Sequence, residues 1–299
     1  MNCSRHQQSG IALLMAIIVV VAVTAISVSM VHDEAFLIRK ASRLQLLERA
    51  GLYAFGLEDF ARLVLQIDQE DSSTDDLDED WATNVPVTNI EAGYLAGYIE
   101  DEQSAFNVNS LLDSKNPAES KKRFTRLCDN LNVDTVFIPA LMDWIDTDSE
   151  VRFPDGAEDG YYPYRVANRL MADVSELLLI KDVNHEMYNK LKPYITALPT
   201  TASNLNVNTM SEAVFLALDQ NLDADVFLQE REKNAFSTVD DFITRLSIPV
   251  VIDGLAVSSE YFRIFGQVVQ DDLEYNFQTL IHRDANGTTR IINRSLEPF

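Results

Sequence analysis

The chain has 299 residues, enough for two or three structural units with separate cores. Its 47 acidic residues outnumber 24 basic ones, and a net charge of −23 disfavours functions based on binding nucleic acid or anionic lipid, because these need Lys and Arg at phosphates. Cys3 lies near the N-terminus and Cys128 in a helical-looking stretch, where we expect a core residue and no internal disulfide.

The N-terminus predicts a membrane anchor behind a short leader. Residues 1–10 are polar and end in Gly10, and the uncharged apolar residues 11–31 follow at once, long enough to cross a hydrocarbon core of roughly 30 Å as a helix. A secretory signal is cut after its apolar block. Here the attractive cut site precedes the block, so a mature chain would begin at Ile11. Arg5 before the span predicts a cytoplasmic N-terminus and a periplasmic body at the inner membrane.

A single long helix is expected next. Residues 12–66 contain no proline, and apolar residues recur at helical spacing beyond the span. We predict one helix of about 55 residues, roughly 80 Å long, whose second half presents an apolar face to a sheet. Residues 67–84 are acidic and rich in Ser and Thr, which predicts a loop anchored by Trp81.

Strands are predicted on both sides of a helical block. Residues 94–108 indicate a strand, a turn near Asp101 and another strand, while residues 261–295 contain three segments rich in β-branched and aromatic residues. Asn286-Gly287 predicts a hairpin turn between the last two. Helical patterns dominate from about 110 to 246. The predicted fold class is α+β, a long helix on an antiparallel sheet with a large helical insertion.

A weak internal repeat divides that insertion. Residues 106–111, FNVNSL, resemble residues 205–210, LNVNTM, and in both copies a hydroxyl residue, Ser110 or Thr209, is predicted to cap the next helix. We therefore predict two helical subdomains, at about 109–200 and 205–258. The alternative is that the two segments resemble each other by chance. The second resembles helix-hairpin-helix modules, but its turn, residues 219–223, has two acids and no glycine, which disfavours phosphate binding.

The densest polar group predicts a divalent cation site. Carboxylates gathered from two turns of one loop suit calcium, which takes six to eight oxygen ligands. The predicted ligands are Asp143, Asp146, Asp148, Glu158 and Asp159, and the alternative is a solvated acidic loop. The spacing is not that of an EF-hand. A second acidic run, Asp71, Asp75, Asp76, Asp78, Glu79 and Asp80, is either another cation site or a solvated loop.

The sequence does not favour catalysis. His185-Glu186 begins like a zinc-protease helix, but Asn189 stands where the second histidine is needed. Carboxylate pairs leave acid–base hydrolysis open. The rival function is therefore a membrane-anchored periplasmic calcium-dependent hydrolase or binding module. A competence-type DNA receptor is disfavoured by the net charge.

Several strings resemble one family. They are DWIDTD at 143–148, GAEDGYY at 156–162, PYRVAN at 163–168, and TALP at 196–199 before NVNT at 206–209. The Gly10–Ile11 junction is typical of type IV pilin-like precursors. Because these strings follow one another in the same order over nearly the whole chain, the chain resembles general secretion pathway protein K, the large minor pseudopilin of type II secretion systems.

The resemblance implies a pseudopilin fold with an inserted α-domain. The implied units are the leader 1–10, the transmembrane part 11–31, the helix and first strands 32–108, the inserted α-domain 109–258, and the C-terminal strands 259–299. It also implies calcium binding, and no enzymatic activity. Small helix-face residues are expected to join the chain to partner helices: Ala35, Ala41, Ala50 and Ala54.

The resemblance also implies partners and a place in the assembly. The expected partners are the minor pseudopilins I and J, with H as a further candidate, the inner-membrane assembly platform, and prepilin peptidase, which would cleave after Gly10 and methylate Ile11. Most pilins and pseudopilins carry Glu at the fifth mature position, where this chain has Met15. Lacking that Glu is typical of the family and fits a subunit at the filament tip, where it primes and caps assembly.

Overall fold

The computed structural model describes residues 7–248 and 253–296, with side chains from Gly10 onward. The predicted leader therefore lies outside the described residues at positions 1–6, as do residues 249–252 of the second subdomain and 297–299 of the C-terminal segment. The α-helices are α1 (Gln7–Asp71), α2 (Pro117–Asn130), α3 (Ile138–Ile145), α4 (His185–Leu191), α5 (Glu212–Leu216), α6 (Ala224–Lys233) and α7 (Val239–Arg245). The strands are β1 (Val85–Ile90), β2 (Gly93–Asp101), β3 (Phe106–Asn107), β4 (Ile195–Thr196), β5 (Leu205–Asn206), β6 (Leu255–Ala256), β7 (Tyr261–Gln270), β8 (Leu273–Arg283) and β9 (Thr289–Ser295).

Helix α1 confirms the long helix and extends it. It runs unbroken for 65 residues, so the predicted loop begins at residue 72 rather than 67. Within the described residues one helix, Gly10–Asp71, is long and apolar enough to cross a membrane. Residues 11–31 are exposed along their whole length, as a lipid-facing segment would be.

The second half of α1 packs on the sheet through small residues. The apolar residues of its buried face are Ala50, Ala54, Leu57, Ala61 and Leu65. The facing strands of the sheet have glycine at the contact. A Cβ on Gly97 would lie 2.9 Å from Leu57 Cδ2, and a Cβ on Gly266 would lie 3.0 Å from the same atom. Two of the expected partner-facing residues, Ala50 and Ala54, therefore contact this chain's own sheet, because only small residues allow such close helix–sheet packing.

The sheet has five antiparallel strands in the order β1-β2-β7-β8-β9. The three predicted C-terminal strands are confirmed, and the hairpin turn lies at Gly287, whose φ of +79° suits a residue without Cβ. Trp81 is buried as predicted, edge-on to Phe262 at 5.2 Å. Strand β1 was not predicted from the sequence, because this edge strand contains Pro86 and shows no alternating burial.

The insertion leaves the body at the end of the sheet far from the membrane span. Arg49 of α1 pairs with Glu91 at one end of the sheet, while Asp68, about five helical turns later, pairs with Arg283 at the other. Strand β2 ends and β7 begins at this second end, since Asp101 is in register with Phe262. The described residues between 102 and 260 therefore extend from the membrane-distal end of the sheet.

The buried apolar residues among those described form three large groups. The first lies between α1 and the sheet, the second lies in the first part of the insertion around Phe124, Phe137 and Leu141, and the third is a group of aromatic rings in the second part. In that third group Phe215 stacks on Phe227 at 4.1 Å. A small group of Leu198, Tyr261 and Leu280 lies between insertion and sheet.

The two N-V-N segments make the same hydrogen bonds. In the first copy Asn109 Oδ1 accepts from Met171 N at 2.8 Å and Nδ2 donates to Met171 O at 2.9 Å. In the second, Asn208 does the same with Phe236 N at 2.8 Å and Phe236 O at 3.1 Å. Each motif also begins in a two-residue parallel strand pair, β3–β4 or β5–β6. The repeat is thus structural: the second asparagine of each copy replaces a missing backbone partner.

The predicted caps were wrong. Ser110 Oγ donates back to Asn107 O at 2.6 Å, and Thr209 Oγ1 donates to Asp101 Oδ2 at 2.5 Å, so neither hydroxyl caps the following helix. Helix α5 is capped instead by Ser211, which accepts from Val214 N. The motif's hydroxyl is used to close its own turn or to bind the body.

Candidate functional site

The acidic loop after α3 brings together three of its five predicted ligands. One carboxylate oxygen from each of Asp146, Asp148 and Glu158 lies within 4.8 Å of the other two. Asp146 follows α3 directly, and its extended backbone turns the chain out of the helix. Glu158 returns to the same place from the far side of the loop. This is an oxygen-only donor set in one compact group.

The other two predicted ligands hold the loop closed. Asp143 is fully buried and accepts from Arg152 N at 3.1 Å, Arg152 Nη1 at 2.8 Å and Ala157 N at 2.9 Å. Asp159 Oδ1 accepts from Val166 N at 2.8 Å. The Arg152 guanidinium also contacts Asp146. These bonds fix the loop's two sides relative to each other.

Glu158 is the anomaly of this loop. It is 5 % exposed, yet neither of its carboxylate oxygens has a hydrogen-bond partner among the described residues. Burial raises its pKa above the ordinary value, and the nearby charges of Asp143, Asp146 and Asp148 raise it further. A buried, unpartnered carboxylate is costly unless a cation or proton compensates it.

Asn168 is a second residue with an unpartnered oxygen beside this loop, and it was not predicted as a ligand from the sequence. Its Nδ2 donates to Asp148 O at 2.8 Å, while its buried Oδ1 has no partner among the described residues. It adopts a positive φ of 43°, which asparagine tolerates better than most residues. Amide oxygens are ordinary calcium ligands. The residues therefore fit a hard divalent cation: four carboxylates face the single charge of Arg152.

At the second acidic run the positive charge comes from a side chain of the protein, the guanidinium of Arg283. Arg283 Nη1 lies 2.7 Å from Asp68 Oδ2, and its Nη2 lies 2.5 Å from Asp75 Oδ1. Asp68, Asp75 and Glu79 bring one carboxylate oxygen each within 4.8 Å of the others. The remaining acids of the run, Asp71, Asp76, Asp78 and Asp80, lie at or near the surface. The run is thus part ion pair and part solvated loop.

A buried polar junction joins this ion pair to the insertion. The Asp101 carboxylate accepts from Gln103 N at 2.7 Å, Asn206 Nδ2 at 3.1 Å, Thr209 Oγ1 at 2.5 Å and Ser259 Oγ at 2.7 Å. Burial raises the pKa of Asp101 to about 6, against the lowering effect of these hydrogen bonds. The junction fixes the second part of the insertion on the end of the sheet.

Asp68 gives a pH-dependent prediction. Burial raises its pKa from the ordinary 3.8 to about 7, with Glu79 and Asp75 adding to the rise and Arg283 opposing it. The folded chain therefore binds more protons than the unfolded chain between pH 4 and 7, so this group makes stability fall as pH rises through that window. Asp68→Asn should flatten the fall in urea unfolding followed from pH 4 to 8. Asp59→Asn, an exposed change on the same helix, should leave it unchanged; equal slopes for Asp68→Asn and the wild type would contradict the assignment.

The predicted processing site lies inside α1. The helix begins at Gln7 and passes through Gly10 and Ile11 without interruption. A Cβ added at Gly10 would meet nothing within 4 Å. Met15, at the position where most pilins and pseudopilins carry glutamate, is 61 % exposed on the outside of the helix.

Comparison with known proteins places the chain in a family. Two models described as type II secretion system protein K match residues 104–200 and 205–261. The chain is 31 % identical to "Type II secretion system protein K" of Pseudomonas aeruginosa over 98 % of its own length and 94 % of that protein. The chain belongs to the type II secretion system protein K family. The protein K of Klebsiella pneumoniae is 29 % identical over 94 % of both chains.

The fold agrees with this family. In a crystal structure of the GspK-GspI-GspJ complex from enterotoxigenic Escherichia coli, one chain matches with a TM-score of 0.79 at 23 % identity, over 87 % of this chain and all of that one. The long apolar helix on an antiparallel sheet with a helical insertion is therefore the fold of protein K, and the predicted fold class and family resemblance are confirmed.

Proposed function

We propose that this chain is the non-enzymatic tip subunit of a type II secretion pseudopilus, a minor pseudopilin held in the inner membrane by residues 11–31 with its body in the periplasm. The observation that carries the proposal is the position of the insertion. The described residues between 102 and 260 extend from the membrane-distal end of the sheet. A subunit stacked above would collide with this bulk, so the chain suits the end of a filament, where it primes assembly and caps it.

The partners that fit best are minor pseudopilins I and J, which assemble with the Escherichia coli relative. The outward face of α1 supports this proposal. Its apolar side chains at Leu52, Phe60, Leu63 and Ile67 are 49–69 % exposed, although they lie on the body beyond the membrane span. An exposed apolar stripe of this kind is a surface for another helix. Pseudopilin H and the assembly platform are further proposed contacts.

The proposed units are a leader of residues 1–10, an insertion in two subdomains, and C-terminal strands. The sequence predicts the insertion at about 109–258 and the strands from residue 259, and in the fold the insertion lies between the end of β2 at Asp101 and the start of β7 at Tyr261. The absence of a carboxylate at Met15 supports the tip position. A subunit with glutamate there can pair with the N-terminus of its neighbour, whereas this chain offers only a thioether.

The proposal predicts processing at Gly10. Prepilin peptidase should cut after Gly10 and methylate Ile11, and Gly10→Val should abolish both the processing and protein secretion. The helix has open space at Gly10, so the change does not disturb packing. Mass spectrometry of the N-terminal peptide from cells gives the answer. Gly51→Val, at another open position of α1, is the matched control and should be processed normally. A wild-type peptide that begins at Met1, with secretion intact, would overturn the proposal.

We further propose that Asp146, Asp148 and Glu158 bind calcium, with Asn168 as an added oxygen and with Asp143 and Asp159 shaping the loop. Bound calcium would neutralise the crowded carboxylates and hold the loop's two sides together.

Glu158→Gln should weaken calcium binding by at least about 100-fold, because even residues that only support ligands cost 10–100-fold when changed. Titration calorimetry of the full-length protein in detergent measures this. Glu150→Gln changes an exposed neighbour outside the group and should bind as the wild type does. A wild-type protein that takes up no calcium would contradict the proposal.

The rival function, a calcium-dependent periplasmic hydrolase, instead predicts an unprocessed chain and no requirement for Gly10.

A further inference from the structure

The insertion exposes large apolar side chains in one region. Five of them lie around the acidic loop and define what we term the aromatic loop surface: Val151 (58 % exposed), Phe153 (95 %), Tyr161 (59 %), Tyr164 (42 %) and Leu179 (45 %). Among the described residues of the insertion, the other large apolar side chain exposed to this degree is Val226. Exposed apolar residues scattered singly need no explanation, but a concentration of this kind marks an interaction surface.

These side chains are held on a packed floor. The ring of Tyr162 lies 5.1 Å from that of Tyr161 and 5.3 Å from that of Tyr164, and it packs edge-on against the buried Trp144 at 5.9 Å. The Tyr164 hydroxyl donates to Leu179 O at 2.6 Å. Tyrosines fixed in this way lose little entropy when a partner binds, because their rings are already positioned.

Phe153 joins the same surface through its neighbours. Lys181 Nζ donates to Asp155 O at 3.3 Å and lies 5.3 Å from the centre of the Tyr161 ring, so the loop that carries Phe153 is tied to the tyrosines. Arg152, directly before Phe153, is bound to Asp143 and Asp146. The acidic group therefore determines where Phe153 is presented.

The charge around the aromatic loop surface indicates the kind of partner that it can bind. Residues 146–182 contain nine acidic and four basic side chains, a net charge of −5 that a calcium ion bound in the acidic loop would reduce to −3. Glu150 and Asp182, which are not among the proposed calcium ligands, are exposed at the rim. Such a rim repels anionic lipid headgroups and attracts Lys and Arg. The combination fits a protein face with an apolar centre and a basic rim, the usual anatomy of a specific interface.

We propose that the aromatic loop surface is a docking surface for a basic protein face that the tip meets during secretion. The inference rests on the proposed function, because the tip position is what brings the surface to a partner outside the pseudopilus. It predicts a class of variants that assemble normally and secrete poorly.

The first experiment uses the full-length protein in secreting cells. Phe153→Ser with Tyr161→Ser should lower secretion by about tenfold or more, since a few buried aromatic residues carry most interface energy. N-terminal processing and recovery with pseudopilins I and J should stay at wild-type levels. Leu77→Ser with Val226→Ser removes two exposed apolar residues elsewhere, 52 % and 40 % exposed, and should secrete normally. If the Phe153/Tyr161 variant secreted as the wild type does, the proposed docking surface would be wrong. If the wild-type chain were not cleaved after Gly10, the proposed function itself would be wrong.

A second experiment tests the chemistry of the partner. Glu150→Lys with Asp182→Lys reverses two rim charges and should lower secretion to a similar degree, with processing unchanged. A photo-crosslinking benzoylphenylalanine at position 153 should form an adduct with a protein segment that carries Lys or Arg. Unchanged secretion after charge reversal, or adducts confined to phospholipid or to segments without basic residues, would overturn the proposal.

Discussion

Replacing Arg283 by methionine should lower the free energy of unfolding by about 3–5 kcal/mol, because breaking a buried ion pair from one side leaves an uncompensated charge. Arg283 is 1 % exposed and binds both Asp68 and Asp75. Its guanidinium also lies 4.6 Å from the centre of the Phe262 ring. Methionine fills much of the same volume, so the loss reports the charge rather than a cavity. Urea unfolding of the full-length protein in detergent, at pH 8, measures the difference.

Two further variants make this result decisive. Arg43→Met removes an exposed pair with Asp272, whose atoms lie 3.5 Å apart, and should cost less than about 1 kcal/mol. Asp75→Asn combined with Arg283→Met removes both charges and should recover part of the loss. Equal effects from Arg283→Met and Arg43→Met would show that the ion pair does not hold the junction.

The ion pair also shows where sequence reasoning stops. Arg283 stands in a strand that was predicted correctly, but its partners Asp75 and Asp68 lie 208 and 215 residues earlier. Local spacing carries no signal for a contact over that distance. The acidic run could therefore be predicted only as a cation site or a solvated loop, while the fold supplies an arginine from β8.

Elements with a strong period were predictable. Helix α1 was identified because its apolar residues recur at helical spacing over many turns, and β7 to β9 because they are rich in β-branched and aromatic residues. Strand β1 lacks such a pattern, since an edge strand with Pro86 is positioned by pairing with β2 rather than by burial. The N-V-N repeat was visible from six residues, and in the fold the second asparagine of each copy pairs with a backbone N–H and C=O.

The sequence predicted which carboxylates lie in the acidic loop, but not how their roles are divided. Five carboxylates were expected to act alike. In the fold Asp143 and Asp159 bind loop amides, and Asp146, Asp148 and Glu158 gather around a common point. That division depends on how the chain between residues 146 and 158 closes, which sequence spacing does not determine.

Closure of the loop gives the second large prediction, Gly156→Ala. A Cβ at this position would lie 2.2 Å from Asp143 Oδ2 and 2.4 Å from Arg152 O, closer than real atoms approach. Neither neighbour can give way, because Asp143 is fully buried and Arg152 O accepts the Gly156 amide at 2.7 Å. The loop must open, and calcium affinity should fall by about 10–100-fold, as when supporting residues of metal sites are lost.

Gly160→Ala is the matched control for this change. The same methyl group, four residues further along the same loop, would meet nothing within 4 Å and should leave calcium binding unchanged. Calorimetric titration of both variants with calcium compares them directly. If Gly156→Ala bound calcium as tightly as Gly160→Ala, Asp143 and the closed loop would not be what positions Glu158. If only Gly156→Ala loses affinity, the cation site depends on a backbone approach that a single methyl group prevents.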